Sequence, residues 1–210
     1  MNWAESASRN LIPLSVSDTL KDALKEWNYA GNIEEDDTAN SICELCDHPN
    51  IRYKFQIVNK NNDSELYVGS ECIHKFGILG LSEDGTEITQ DETMHQISKH
   101  KSKLIKERNI KHVLESLILL SKKDEDFEKS ASDFYKYYEN RGAFTPKQLN
   151  LLLFSMKKCG IKYNKKSFKM TIKRNREKEQ LVTMKDFQIR TIWDCMSPSQ
   201  KEYYLKHKEL

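Results

Sequence analysis

Three cysteines constrain this chain more than any other feature. Cys43-Glu44-Leu45-Cys46 is a C-x2-C pair, and Cys72 follows after a stretch that reads as two short strands. Ile51, Tyr53, Phe55 and Ile57 alternate with Arg52, Lys54 and Gln56, which is the period of a half-buried strand. Asn59 to Asp63 is rich in turn-forming residues, and Leu66, Tyr67 and Val68 then resume the apolar pattern. A β-hairpin therefore carries the chain back, and Cys72 returns beside the pair it left.

Thiolates brought together in this way suit a closed, tetrahedral structural Zn2+ site. One tight turn offers the sulfurs of Cys43 and Cys46, and Cys72 supplies a third. The fourth ligand is open between two histidines, with water or another residue as further possibilities. His48, just past the pair, is the first choice and would bend back from the start of the first strand. His74 is the alternative and requires a non-helical backbone at Cys72. A catalytic metal is not indicated, because neither H-E-x-x-H nor H-x-E followed by C-x2-C occurs. Glu71, beside Cys72, reads as a surface carboxylate. No P-loop, G-x-G-x-x-G or G-x-S-x-G is present, so nothing argues for an enzyme. The cysteine count of 5 is odd, which speaks against a disulfide framework, and Cys159 and Cys195 read as buried free thiols.

The stretch from Glu26-Trp27 to Phe76 resembles a group of proteins from phages and mobile elements of Gram-positive bacteria. Their pattern is similar to E-W near a helix end, a C-x2-C pair, an aromatic strand pair and then G-S-x-C-I-x-K-F. Its counterparts here are Glu26, Trp27, Cys43, Cys46, Tyr53, Phe55, Ile57, Asn59, Gly69, Ser70, Cys72, Ile73, Lys75 and Phe76. The resemblance implies a small zinc-ribbon or treble-clef-like module. It implies no activity and leaves the fourth ligand open.

Charge divides the chain more sharply than its net of +2 suggests. Residues 1–97 hold 7 Lys/Arg against 18 Asp/Glu, and residues 98–210 hold 27 against 14. The expected fold is α+β: a small zinc-stabilised β-hairpin module followed by a mainly helical basic domain. The module, with an N-terminal helix, spans residues 1–80, a polar acidic linker spans 81–93, and the basic domain spans 94–210. Residues 1–16 show no period and are expected to be irregular. Ser17 or Asp18 caps a helix bearing Leu20, Ala23, Leu24 and Trp27 on one face, with Gly31 as its stop. In the basic half, helices are expected over about 95–122, 130–140 and 176–195. Thr145-Pro146-Lys147-Gln148 and Ser197-Pro198-Ser199-Gln200 are two helix starts with capping-box chemistry. Phe168, Met170 and Ile172 alternate with Lys169, Thr171 and Lys173, the pattern of a short strand.

Lysines and arginines crowd one segment of the basic half. Lys165, Lys166, Lys169, Lys173, Arg174 and Arg176 can neutralise phosphates, and Tyr163 among them can stack on an unpaired base. Single-stranded or structured nucleic acid is therefore the expected partner of the basic half. A protein is a possible partner of the acidic half. Two functions follow: a non-enzymatic zinc-containing nucleic-acid-binding protein of a phage or mobile element, or an interaction module that inhibits or modulates a host defence or replication complex. No apolar run is long enough to span a bilayer and no secretory leader is visible, so a cytoplasmic location is expected.

Overall fold

The computed structural model describes residues 2–208. It mixes helices with one four-stranded sheet and divides into two compact units, Met1–Ile105 and Lys106–Leu210.

The first unit opens on α1 (Trp3–Leu11), in a segment expected to be irregular. Asn2 caps it by accepting from the Ala4 N–H, and Ala7 and Leu11 are buried one turn apart. The helix holds because packing, not propensity, decides so short a segment. α2 (Leu20–Ala23) is capped by Thr19, not by Ser17 or Asp18, and lasts a single turn. Trp27 then opens a strand where a helix face was expected. Strand β1 (Trp27–Glu35) pairs with β2 (Tyr53–Asn59), so that Trp27 faces Asn59 and Tyr29 faces Ile57. Gly31, read as a helix stop, lies inside β1 with φ +85°, where the register shifts between Tyr29 and Ile33. A left-handed residue fits such a bulge because glycine carries no Cβ to clash.

The expected hairpin is present as β2 and β3 (Glu65–Val68), with Phe55 opposite Val68 and Ile57 opposite Leu66. Asp63 takes the left-handed position in its turn, at φ +58°. α3 (Ser70–Lys75) follows directly, and β4 (Leu79–Gly80) joins β1 in parallel to complete the order β3-β2-β1-β4. One departure from simple alternation is Gln56, which is buried and accepts from Asn32 Nδ2 at 2.6 Å.

Residues 81–93, expected as a linker, are part of the first unit. Leu81 and Glu87 form an antiparallel bridge, and the Ile88 N–H donates to the Gly80 carbonyl. The Gly80 N–H donates to Thr93 Oγ1 at 2.8 Å, and Thr93 is fully buried. The polar side chains here satisfy backbone groups as well as solvent, which composition alone does not reveal. α4 (Gln90–Lys123) starts in this segment and gives Ile97 to the first core, so the division between units falls beyond it, at 105/106.

The second unit is helical. The end of α4 gives Val113, Leu117 and Leu120 to a core shared with α5 (Glu125–Arg141) and α6 (Pro146–Lys158). Gly142 ends α5 in the left-handed conformation. Both expected capping boxes form, at Thr145/Gln148 and at Ser197/Gln200, the latter opening α9 (Pro198–His207). The single helix expected over 176–195 is two, α7 (Asn175–Val182) and α8 (Asp186–Ile192), separated by a turn that buries Met184. The expected strand at 168–172 reduces to one parallel bridge between Phe144 and Met170. Its alternation survives: Phe168 and Met170 are buried while Lys169 and Lys173 are exposed.

Candidate functional site

Residues 41–51 form a small knuckle closed by a bridge between Ser41 and Ile51. Within it the Cys43 N–H donates to the His48 carbonyl, and the Asp47 N–H donates to the Cys43 carbonyl. Asp47 sits at φ +59°, and Asn10 and Arg9 of α1 hold its carboxylate. The knuckle is tied to the hairpin twice over. The Glu44 N–H donates to the Tyr67 carbonyl, and the Tyr67 N–H donates to the Glu44 carboxylate. Cys72 enters from the first turn of α3, where its N–H donates to the Gly69 carbonyl at 3.0 Å.

These elements bring the three sulfurs together. Cys72 Sγ lies 3.1 Å from Cys46 Sγ and 3.5 Å from Cys43 Sγ, and all three residues are buried. A disulfide would require about 2.05 Å, so these are separate thiols. The Cys43 thiol is pulled well below its ordinary value, chiefly by its hydrogen bond with Cys72 and also by the Gly69 N–H, 3.4 Å from its sulfur. The Cys72 thiol is pushed up by its bond to Cys43 and by burial, and burial also raises Cys46. The cluster thus accommodates one thiolate readily and resists the second and third. A bound cation would remove that resistance, because metal binding releases thiol protons.

The donor set fits a thiophilic ion. Tetrahedral ligands at a Zn–S bond of about 2.3 Å stand roughly 3.8 Å apart. At 3.1 and 3.5 Å from its neighbours, the Cys72 sulfur is somewhat closer than that and would move outward around an ion. Three close, buried cysteines can therefore hold a metal ion.

The histidines do not join them. Among the described residues, no imidazole nitrogen or carboxylate oxygen lies within 4.8 Å of all three sulfurs. His48 is exposed, with its ring centroid 6.2 Å from that of Trp3. It does line the same cavity as the sulfurs, about 240 Å³, with Trp3, Tyr53, Glu71 and Lys101. His74 is exposed on α3, and Cys72 is helical, so the non-helical backbone that His74 required is not there. Glu71 lies at the cavity edge, exposed.

In the second unit, Lys166, Lys169, Lys173, Arg174 and Arg176 are exposed and form no ion pair among the described residues. Lys165 differs, since Asp194 holds it at 2.8 Å. Tyr163 is half-buried and packs edge-on against Phe168 at 5.7 Å, so its ring belongs partly to the core. Lys169 and Lys173 converge with Arg141 on a cleft of about 650 Å³. Asn140, Thr171, Ser199 and Tyr203 also line it, and among the described residues no carboxylate does. Arg141 was not singled out from sequence. The signal was its place in the last turn of α5, one residue before the left-handed Gly142.

Compared with known protein families, with curated proteins and with solved structures, the chain finds no match. Among the described residues, no helix is long and apolar enough to cross a membrane.

Proposed function

We propose that this is a zinc-containing nucleic-acid-binding protein of the phage or mobile-element type, acting without catalysis of its own. The observation that carries the reading is the cleft of the second unit. Three cations, Arg141, Lys169 and Lys173, line it with hydroxyl and amide groups and, among the described residues, without a carboxylate. Such a surface attracts phosphate, and its affinity comes from counterions released as each phosphate is neutralised. In the first unit the three thiols favour Zn2+ among the ions a cell offers, as thiolate ligands do. The metal would brace the knuckle against α3, leaving contact with nucleic acid to the second unit.

Fluorescence anisotropy of labelled DNA and RNA oligonucleotides with the full chain, over a salt series, tests the proposal. Binding that weakens steeply as salt rises is the expected result. No binding above background at low salt would remove the nucleic-acid reading in favour of a protein partner.

A further inference from the structure

A second groove of the second unit, away from the Arg141 cleft in its lining residues, presents two phenylalanine rings that the core leaves out. α6 buries Leu149, Leu152, Leu153 and Met156 and turns Phe154 outward, where it is 58% exposed. α8 buries Ile189 and Ile192 and turns Phe187 outward, 56% exposed. Two large apolar rings left in water beside each other on packed helices mark a surface suited to an occupant. Neither ring takes part in an aromatic pair or a cation–π contact among the described residues. Both line one groove of about 650 Å³, together with Lys157, Lys158, Lys165 and Arg190.

The spacing supplies the logic. Lys157 and Lys158 follow Phe154 by three and four residues, and Arg190 follows Phe187 by three. On a helix such neighbours stand about 5–6 Å apart on one face. Each helix therefore offers a flat ring with a cation one turn further on. Among the described residues no carboxylate lines the groove, although Asp194 outside its lining already pairs with Lys165. Lys157, Lys158 and Arg190 carry no ion pair among the described residues. Tyr163, edge-on to Phe168, forms part of the groove wall.

We propose that this groove binds single-stranded nucleic acid, with unpaired bases stacked on Phe154 and Phe187 and the backbone phosphates on Lys157, Lys158 and Arg190. The proposal rests on the nucleic-acid reading above and names the form of the ligand. Stacking tolerates any base sequence, since every base has a π face, but it needs bases released from a duplex. An acidic peptide would satisfy the cations and leave the rings without a flat partner, so the rings favour the polynucleotide.

The test compares a labelled oligothymidylate and an oligouridylate with a blunt duplex, using the full chain and its Phe154→Ala, Phe187→Ala and Phe154→Tyr variants. Each alanine variant should bind the single strands roughly 5- to 150-fold more weakly, the range for loss of one base–aromatic stack. The salt slope and duplex binding should be unchanged, and Phe154→Tyr should restore affinity. Circular dichroism checks that each variant is folded, as exposed substitutions ordinarily remain. If the alanine variants keep single-strand affinity while neutralising Lys169 and Lys173 lowers it, the groove proposal fails and the nucleic-acid reading stands. If no oligonucleotide binds, both fall. Displacement of the oligonucleotide by polyglutamate, with the same loss in Phe154→Ala, would also overturn the proposal and assign the groove to an acidic protein. So would an oligomer in the parent chain that Phe154→Ala dissociates.

Discussion

The sulfur of Cys72 lies 3.1 Å from that of Cys46, although a whole β-hairpin separates them in the chain. The contact is set from both sides. The Cys43–Asp47 turn fixes Cys46, and the first turn of α3 fixes Cys72. Backbone hydrogen bonds thus aim the thiols at one point, and a metal there would connect the knuckle to α3.

The chain should therefore purify with about one zinc when no metal-affinity tag is used. Cys46→Ser should lose the metal and unfold the knuckle, because a structural zinc contributes on the order of 10 kcal/mol in small zinc modules. The second unit has a core of its own and should remain folded. Elemental analysis with limited proteolysis checks both parts. A protected fragment from the second unit is the expected product. Full sensitivity of the chain would mean that the units fold together.

Glu26 should make the first unit acid-sensitive. Its buried carboxylate accepts first from the Ser17 side chain, then from the Val16 N–H, Asn59 Nδ2 and the Ser17 N–H, and these bonds hold its pKa at about 2 instead of the ordinary 4.5. A depressed pKa stabilises the fold above the unfolded value and loses that contribution as pH falls through the folded one. Glu26→Gln should therefore destabilise the protein at neutral pH, because the amide brings donors to a site already full of donors. The difference from the parent should shrink as pH drops from about 4.5 towards about 2. Denaturant titrations across that range measure it. A gap that stays constant with pH would mean that Glu26 acts by packing alone.

Gly31→Ala should cost about 1–3 kcal/mol, the usual price of holding a non-glycine residue in a left-handed conformation. Gly31 sits at φ +85°, and an added Cβ would meet His100 only at 3.6 Å, an ordinary contact. The cost is thus backbone strain and not a clash. Removing the imidazole with His100→Ala should therefore leave the Gly31→Ala penalty unchanged in a double-mutant cycle of denaturation free energies. A penalty that largely disappears in the His100→Ala background would point to steric crowding instead.

Much of this could be read from sequence where local chemistry and tertiary need agree. The hairpin showed because Phe55, Ile57, Leu66 and Val68 alternate and all reach the core. The helix starts at Thr145 and Ser197 showed because a capping box is complete within four residues. Trp27 misled because Leu20, Ala23, Leu24 and Trp27 fit a helix, while β2 offered Trp27 a strand partner 32 residues away, at Asn59. Residues 81–93 look like a linker because the buried hydroxyl of Thr93 is polar in any sequence scale, although it serves Gly80. At the site, the cysteines were legible from spacing and the fourth ligand was not, since nothing local tells whether His48 turns inward. Phe154 and Phe187 were hidden for the opposite reason. An apolar residue near a core stripe reads as core until the packing shows it facing out.

The Arg141 cleft gives the sharpest electrostatic expectation. Lys169 and Lys173 lie on the exposed side of a segment whose other side, Phe168 and Met170, is buried, so replacing the lysines should leave the fold intact. Arg141 is exposed at the end of α5 and can be replaced with equal safety. Each phosphate contact contributes roughly 0.7 to 0.9 to the slope of log affinity against log salt. The triple variant Arg141→Ala, Lys169→Ala, Lys173→Ala should therefore flatten that slope by about 2 to 3 and weaken binding most at low salt. Because phosphates carry no sequence information, the loss should be similar for oligonucleotides of different sequence. Anisotropy titrations over a salt series measure both quantities. A weaker affinity with an unaltered slope would show that the three cations shape the cleft without meeting phosphate, and the proposed contact would have to be sought elsewhere on the second unit.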